Sequence, residues 1–224
     1  MFKRSTLKSD SVKKLYTDKI NLYHFFFVGF LRYAKGLESV IKKGNYLKDN
    51  FKVLDAGCGS GVLTKILYQN ARAQKLNHIT FHGFDLTPAM LERFKNWINQ
   101  NNISNINLLQ ADVLKIDNLP DGWSNYDLVA SSAMLEYLPK DKLAKAISNL
   151  KNLLKPECKM IIFITRKNFI NKWLIEKWWQ ANIYTKEELT LALNQVGFSE
   201  IKFKRFPFPY SYKNLWCYIL ELKK

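Results

Sequence analysis

The chain has 224 residues, 47% of them hydrophobic and 24% charged, which is enough apolar content for one sizeable core with no composition break to divide it. Lys and Arg number 35 against 19 Asp and Glu, and the resulting formal charge of +16 exceeds what solubility requires and attracts polyanions, acidic headgroups or acidic small substrates. Cys58, Cys158 and Cys217 lie far apart and His24, His78 and His82 lack ligand spacing, so we expect no disulfide framework, no metal and a reduced, cytoplasmic setting.

Much of the charge comes early. Residues 1–52 carry twelve Lys/Arg against four acids. We read residues 1–50 as a basic, aromatic helical extension and 51–224 as the main unit. Asp10 to about Lys43 has helical spacing, with Tyr16, Ile20, Tyr23, Phe27 and Phe30 on one stripe and Leu15, Leu22, Phe26 and Tyr33 on another. The Leu22–Leu31 stretch is apolar on nearly all sides yet too short for a bilayer span, which takes roughly 20 apolar residues. Its charged lead-in, without a small-residue cleavage site, argues against a secretory signal. It therefore needs another cover, either the rest of the domain or a membrane surface.

The run Val53-Leu54-Asp55-Ala56-Gly57-Cys58-Gly59-Ser60-Gly61 follows, a short apolar strand ending in an acid and turning through three alternate glycines. Such a loop bends tightly and brings its backbone against a ligand. Val62 to Leu67 reads as the helix after the turn, the cofactor loop of a doubly wound α/β sheet. Val62 occupies the third glycine position of the dinucleotide fingerprint, which argues against a pyrophosphate binder. A phosphate-cradling loop needs a longer glycine spacing and a Lys-Ser/Thr pair, and Lys65 is too far along. These residues resemble the first motif of class I S-adenosylmethionine-dependent methyltransferases.

Two further strand-end acids extend the resemblance. Phe81 to Leu86 ends at Asp85 and is followed by Thr87-Pro88, a helix start. Ile106 to Val113 carries Asp112. The resemblance implies that Asp85 accepts hydrogen bonds from both ribose hydroxyls and that Asp112 takes the adenine amino group, beside the backbone of Val113. It implies a cofactor site of Asp55, Gly57, Cys58, Gly59, Gly61, Asp85, Leu86, Asp112, Val113 and Ser131, holding S-adenosylmethionine before transfer and S-adenosylhomocysteine after it.

Tyr126 to Pro139 is similar to the family's fourth strand and the turn beyond it, where the loop lies beside the methyl group. A helix around 141–154, a break at Lys155-Pro156 and an apolar strand Met160–Ile164 come next. Thr185-Lys186-Glu187-Glu188 is a capping box for a helix that Gly197 closes. Two β-rich segments near 201–206 and 215–222 end the chain, separated by Pro207-Phe208-Pro209. The implied fold is α/β: a seven-stranded Rossmann-like methyltransferase sheet with helices on both faces, an antiparallel last strand and an N-terminal helical lid. Tyr16-Thr17-Asp18 with Tyr23 is similar to a pattern that lids the site in quinone, lipid and small-molecule methyltransferases.

Methyl transfer from a sulfonium is an in-line displacement that mainly needs an aligned nucleophile in a dry site. A base is required only when the acceptor must lose a proton. Glu136 and Tyr137 stand where many relatives carry a histidine; a helix-capping or solvated role for Glu136 competes with a catalytic one. The segment Thr165 to Trp179 holds four aromatics and several cations, with Arg166 and Trp178 as substrate candidates beside Tyr16 and Tyr23. The leading expectation is transfer to an oxygen or nitrogen of a small, mainly apolar or lipid-like acceptor. RNA or protein methylation and a cofactor-binding adaptor without turnover are the alternatives. Weak contact with an anionic membrane surface is a secondary expectation, and nucleic acid is not the favoured partner because no RNA-binding module is present.

Overall fold

In a computed structural model, which describes residues 33–171 and 181–224, the chain forms a seven-stranded sheet flanked by helices. Expectations for Tyr16 and Tyr23, and for Trp178, fall outside the described residues. Helix α1 (Tyr33–Gly44) is the end of the expected N-terminal helix, and its buried Leu37, Val40 and Ile41 join the main core. Then come β1 (Lys52–Ala56), α2 (Val62–Ala73), β2 (Thr80–Asp85), α3 (Pro88–Gln100), β3 (Ile106–Gln110), β4 (Tyr126–Ser132), α4 (Leu143–Leu153), β5 (Leu154–Thr165), α5 (Lys186–Val196), β6 (Glu200–Lys204) and β7 (Cys217–Lys223).

The strand order is β3-β2-β1-β4-β5-β7-β6. Strands β1 to β5 pair in parallel, and β7 runs antiparallel to both β5 and β6. Both faces of the sheet are covered, which is why its central strands are apolar at successive positions. Val53 and Ile161 pack with Leu37, Leu67 and Phe94 on one face. Their neighbours Leu54 and Ile162 pack with Ile147, Leu150 and Leu189 on the other. Among the described residues no helix is long and apolar enough to cross a membrane.

Two boundaries differ from expectation. The Lys155-Pro156 pair does not break the structure: α4 passes straight into β5. Tyr126 faces Leu154 but Leu128 faces Lys159, so residues 155–158 bulge from the ladder and Glu157 takes φ 62°. A bulge is where a strand tolerates proline, since no ladder N–H is needed there. Leu215 lies not in the last strand but in a 3₁₀ turn, Tyr210–Leu215, and is 58% exposed. The capping box of α5 is present: Thr185 Oγ1 accepts from the Glu188 N–H at 3.2 Å, and Glu188 Oε2 from the Thr185 N–H at 2.7 Å.

Candidate active site

Sheet order reverses between β1 and β4, and the crevice beyond the carboxyl ends of these strands is where a doubly wound sheet binds ligands. The glycine loop enters this crevice. Gly57 has φ 71°, and a Cβ there would lie 2.2 Å from Met134 Cγ; Gly61 has φ 85°, and a Cβ there would lie 2.4 Å from the Phe94 ring. Neither position accepts a side chain. The Gly57 and Cys58 N–H groups both donate to the Phe84 carbonyl, at 2.8 and 2.9 Å, fastening the loop to β2.

Asp85, at the end of β2, is held from two sides. Its Oδ2 accepts the Gly59 N–H at 2.9 Å and its Oδ1 the Thr87 N–H at 2.8 Å. The Thr87 hydroxyl and the Leu86 N–H also bear on this carboxylate, which as an acceptor-only group suits hydroxyl donors. Burial raises its pKa, opposed by the Thr87 and Gly59 backbone bonds. Asp55 is 2% exposed, and its Oδ2 accepts both the N–H and the hydroxyl of Thr64, at 3.0 and 2.6 Å. Burial pushes Asp55 up to about 7 against those bonds. Asp112 Oδ1 accepts the Leu114 N–H at 2.9 Å, which turns the chain after β3. The Val113 carbonyl accepts from Asn149 Nδ2 at 2.8 Å.

These groups surround a cavity of about 290 Å³. Of the expected cofactor residues, Asp55, Gly57, Cys58, Gly59, Asp85, Leu86, Asp112 and Val113 stand on its wall, and so does Tyr137. Gly61 is not on the wall; it lies under Phe94 at the start of α2. Ser131 is not there either. Its hydroxyl, 1% exposed, donates to the Ala56 carbonyl at 2.9 Å and braces β4 against β1. Ser132 takes the wall position, its Oγ 2.6 Å from the Tyr33 hydroxyl. Arg166 is occupied elsewhere, donating to the Asn214 carbonyl at 3.0 Å with its guanidinium 5.2 Å from the Tyr218 ring centre.

Sequence reasoning missed Ser60, whose buried hydroxyl on this wall has no hydrogen-bond partner. It also missed a second, smaller cavity of about 50 Å³ that shares Tyr33 and Ala133 with the first. Glu136 lines it. That side chain is neither solvated nor capping: it is 3% exposed, its Oε1 accepts the Thr165 hydroxyl at 2.8 Å, and burial raises its pKa to about 7. Lys213, 4% exposed and lowered to about 8 by burial, stands on the same wall. The only sequence signal for this cavity was the acid after β4.

A glycine loop after β1, acids ending the first strands and this sheet order together define the class I S-adenosylmethionine-dependent methyltransferase fold. The chain belongs to the methyltransferase domain family, which matches residues 47–223. A curated relative, malonyl-(acyl-carrier protein) O-methyltransferase of Paenibacillus sp. (strain JDR-2), is 31% identical over 114 residues, covering 51% of this chain and 38% of the relative. The match thus spans less than half of that relative's length. Magnesium protoporphyrin IX methyltransferase of Synechocystis PCC 6803, solved with S-adenosylmethionine bound, superposes with a TM-score of 0.71 at 17% identity, covering 99% of both chains. The cyclase SpnF gives a TM-score of 0.72 at 16% identity over 98% of this chain and 97% of its own.

Proposed function

We propose that the protein transfers a methyl group from S-adenosylmethionine to an oxygen or nitrogen of a small, mainly apolar acceptor. One observation carries the reading: the crevice at the sheet reversal gathers three strand-end carboxylates and an unpaired, buried Ser60 hydroxyl around one cavity. The residues fit the cofactor by chemistry. Asp85 offers only acceptors, which suits ribose hydroxyls, Asp112 and the Val113 backbone suit the adenine edge, and Asp55, Ser60 and the glycine loop suit the amino-acid end. The names of the similar proteins, a magnesium protoporphyrin and a malonyl-carrier methyltransferase, support a small acceptor.

When bound, the cofactor supplies a methyl group already activated on a sulfonium sulfur. The protein's part is to place the acceptor and keep water out. Met134, packed against Gly57, and Leu138 put apolar surface on the wall of the cofactor cavity. Tyr33, hydrogen-bonded to Ser132, stands between the two cavities and sets where an acceptor meets the methyl.

Calorimetry tests this directly. S-adenosylmethionine and S-adenosylhomocysteine should bind, NAD should not, and Asp85→Ala should weaken cofactor binding by about 1–3 kcal/mol, the scale for stranding polar ligand groups in a buried site. Tight NAD binding, or an unchanged affinity in Asp85→Ala, overturns the assignment.

A further inference from the structure

Single apolar side chains scattered over a surface are ordinary, but grouped ones mark an interaction site. Among the described residues five large apolar or aromatic side chains are exposed, and four of them, Phe169, Phe208, Tyr212 and Leu215, lie in two short segments. The fifth, Leu191, stands apart on α5. The two segments are tied to each other. The Arg166 guanidinium donates to the Asn214 carbonyl at 3.0 Å, Asn171 Nδ2 donates to the Trp216 carbonyl at 3.1 Å, and Asn168 Nδ2 donates to the Leu215 carbonyl. The longer segment is also closed on itself through Asn214, whose Oδ1 accepts the Phe206 N–H at 2.8 Å and whose Nδ2 donates to the Ser211 carbonyl at 2.7 Å.

Within this frame neighbouring rings face opposite ways. Phe206 is buried in the main core, its ring centre 6.3 Å from that of Phe163, whereas Phe208, between two prolines, is 90% exposed. Phe169 is 89% exposed beside the buried Asn171. The charge around them has one sign. Residues 159–171 and 201–220 contain no acid, and Lys167, Lys204 and Arg205 are exposed there. Lys204 lies 3.8 Å from the Glu221 carboxylate and the charge of Lys167 bears on Glu188, but Arg205 forms no ion pair among the described residues. The Tyr210–Leu215 turn leads into β7, whose Cys217 pairs with Thr165 at the carboxyl end of β5. The patch therefore belongs to the same end of the sheet as the cofactor crevice.

We propose that this end of the molecule seats on an anionic lipid surface, with Phe169 and Phe208 entering the headgroup region and Lys167 and Arg205 held against the headgroup phosphates. Projecting apolar side chains need a partner that deforms around them. A bilayer interface does so, and it favours apolar area flanked by cations. A folded protein partner has to supply a separate pocket for each ring, and stacking on nucleic acid leaves Leu215 without a role. The unbroken positive sign of the two segments matches anionic headgroups. This seating is separate from any role of residues 1–32 and does not depend on the cofactor. Its consequence does rest on the methyltransferase reading: the ligand end of the sheet is turned toward lipid, where an apolar acceptor is dissolved.

Co-sedimentation of the full chain with vesicles tests the seating. The protein should bind vesicles of phosphatidylcholine and phosphatidylglycerol in equal parts, bind phosphatidylcholine alone about tenfold more weakly, and lose affinity as salt rises. Phe169→Ser combined with Phe208→Ser should weaken binding to the mixed vesicles about tenfold, and Arg205→Glu about fivefold or more, whereas Leu191→Ser should leave it unchanged. All four side chains are exposed, so thermal unfolding of the variants should match that of the unmutated protein. Failure of the unmutated protein to bind the mixed vesicles overturns the proposal without any variant. Binding unchanged in the double variant overturns it as well, because the N-terminal charge then accounts for the attraction. So do equal losses in the double variant and in Leu191→Ser, or a double variant that loses affinity for bulk RNA or its own dimerisation while vesicle binding stands. None of these results touches the methyltransferase reading, which stands or falls with S-adenosylhomocysteine binding.

Discussion

Asp55 illustrates how a single buried acid links ligand binding to pH. Burial raises it to about 7, so in the free protein it is largely neutral below that pH and charged above. The amino-acid end of S-adenosylmethionine carries a cationic ammonium and favours the charged form. Cofactor affinity should therefore fall as pH drops below about 7, by up to about tenfold per pH unit, and Asp55→Asn should flatten the profile. Calorimetry between pH 5.5 and 8 reads this; a flat profile in the unmutated protein refutes it. The contribution to folding has the opposite sign. A raised acid binds its proton more tightly folded than unfolded, so Asp55 favours the folded state increasingly as pH falls from about 7 toward the ordinary carboxylate range. At this scale the sequence was legible wherever backbone spacing dictated position. Asp85 and Asp112 follow apolar strands, and both stand on the cavity wall. Ser131 and Ser132 could not be told apart because neighbouring strand residues point to different sides, and one position decides which meets the cavity. The sequence left Glu136 open between a catalytic and a solvated or capping role because its hydrogen-bond partners, Thr165 and Asn182, lie far along the chain.

Helices and strands were legible in proportion to their local signals. α5 was readable from Thr185 to Gly197 because both caps are chemical, and it behaves accordingly. Thr185→Ala should lose about 1 kcal/mol of stability in urea unfolding, with cofactor affinity unchanged because α5 is off both cavity walls. A loss of cofactor binding in that variant, with stability intact, contradicts this division of labour. The start of β5 was misread because proline is a strong local breaker, whereas the bulge at 155–158 removes the ladder bond it would break. For the N-terminal helix we expect a lid. Deleting residues 1–34 removes Tyr33 from the walls of both cavities, and should weaken cofactor binding and abolish turnover on a soluble acceptor. Full activity and normal affinity after that deletion refute the lid and favour a membrane-surface role for the segment.

At the scale of the whole molecule, the +16 charge is a long-range field that no single contact explains. Such a field binds polyanions without regard to sequence, and the attraction falls steeply with salt. Bulk RNA should therefore bind at low ionic strength and be released near physiological salt, with no label from S-adenosylmethionine entering it. Stoichiometric labelling of a defined nucleotide contradicts the small-molecule assignment.

The bulge near the start of β5 has a practical side. It carries Cys158, which is partly exposed, while Cys58 and Cys217 are both buried. Cys158 sits at the amino-terminal end of the parallel strands, whereas the residues of β5 that line the second cavity, Phe163 and Thr165, lie at its carboxyl end. Burial raises its thiol pKa, so it reacts slowly at neutral pH and faster in mildly alkaline solution. The molecule thus has one natural attachment point, and a tether or dye placed there leaves the ligand entrance facing away from the support.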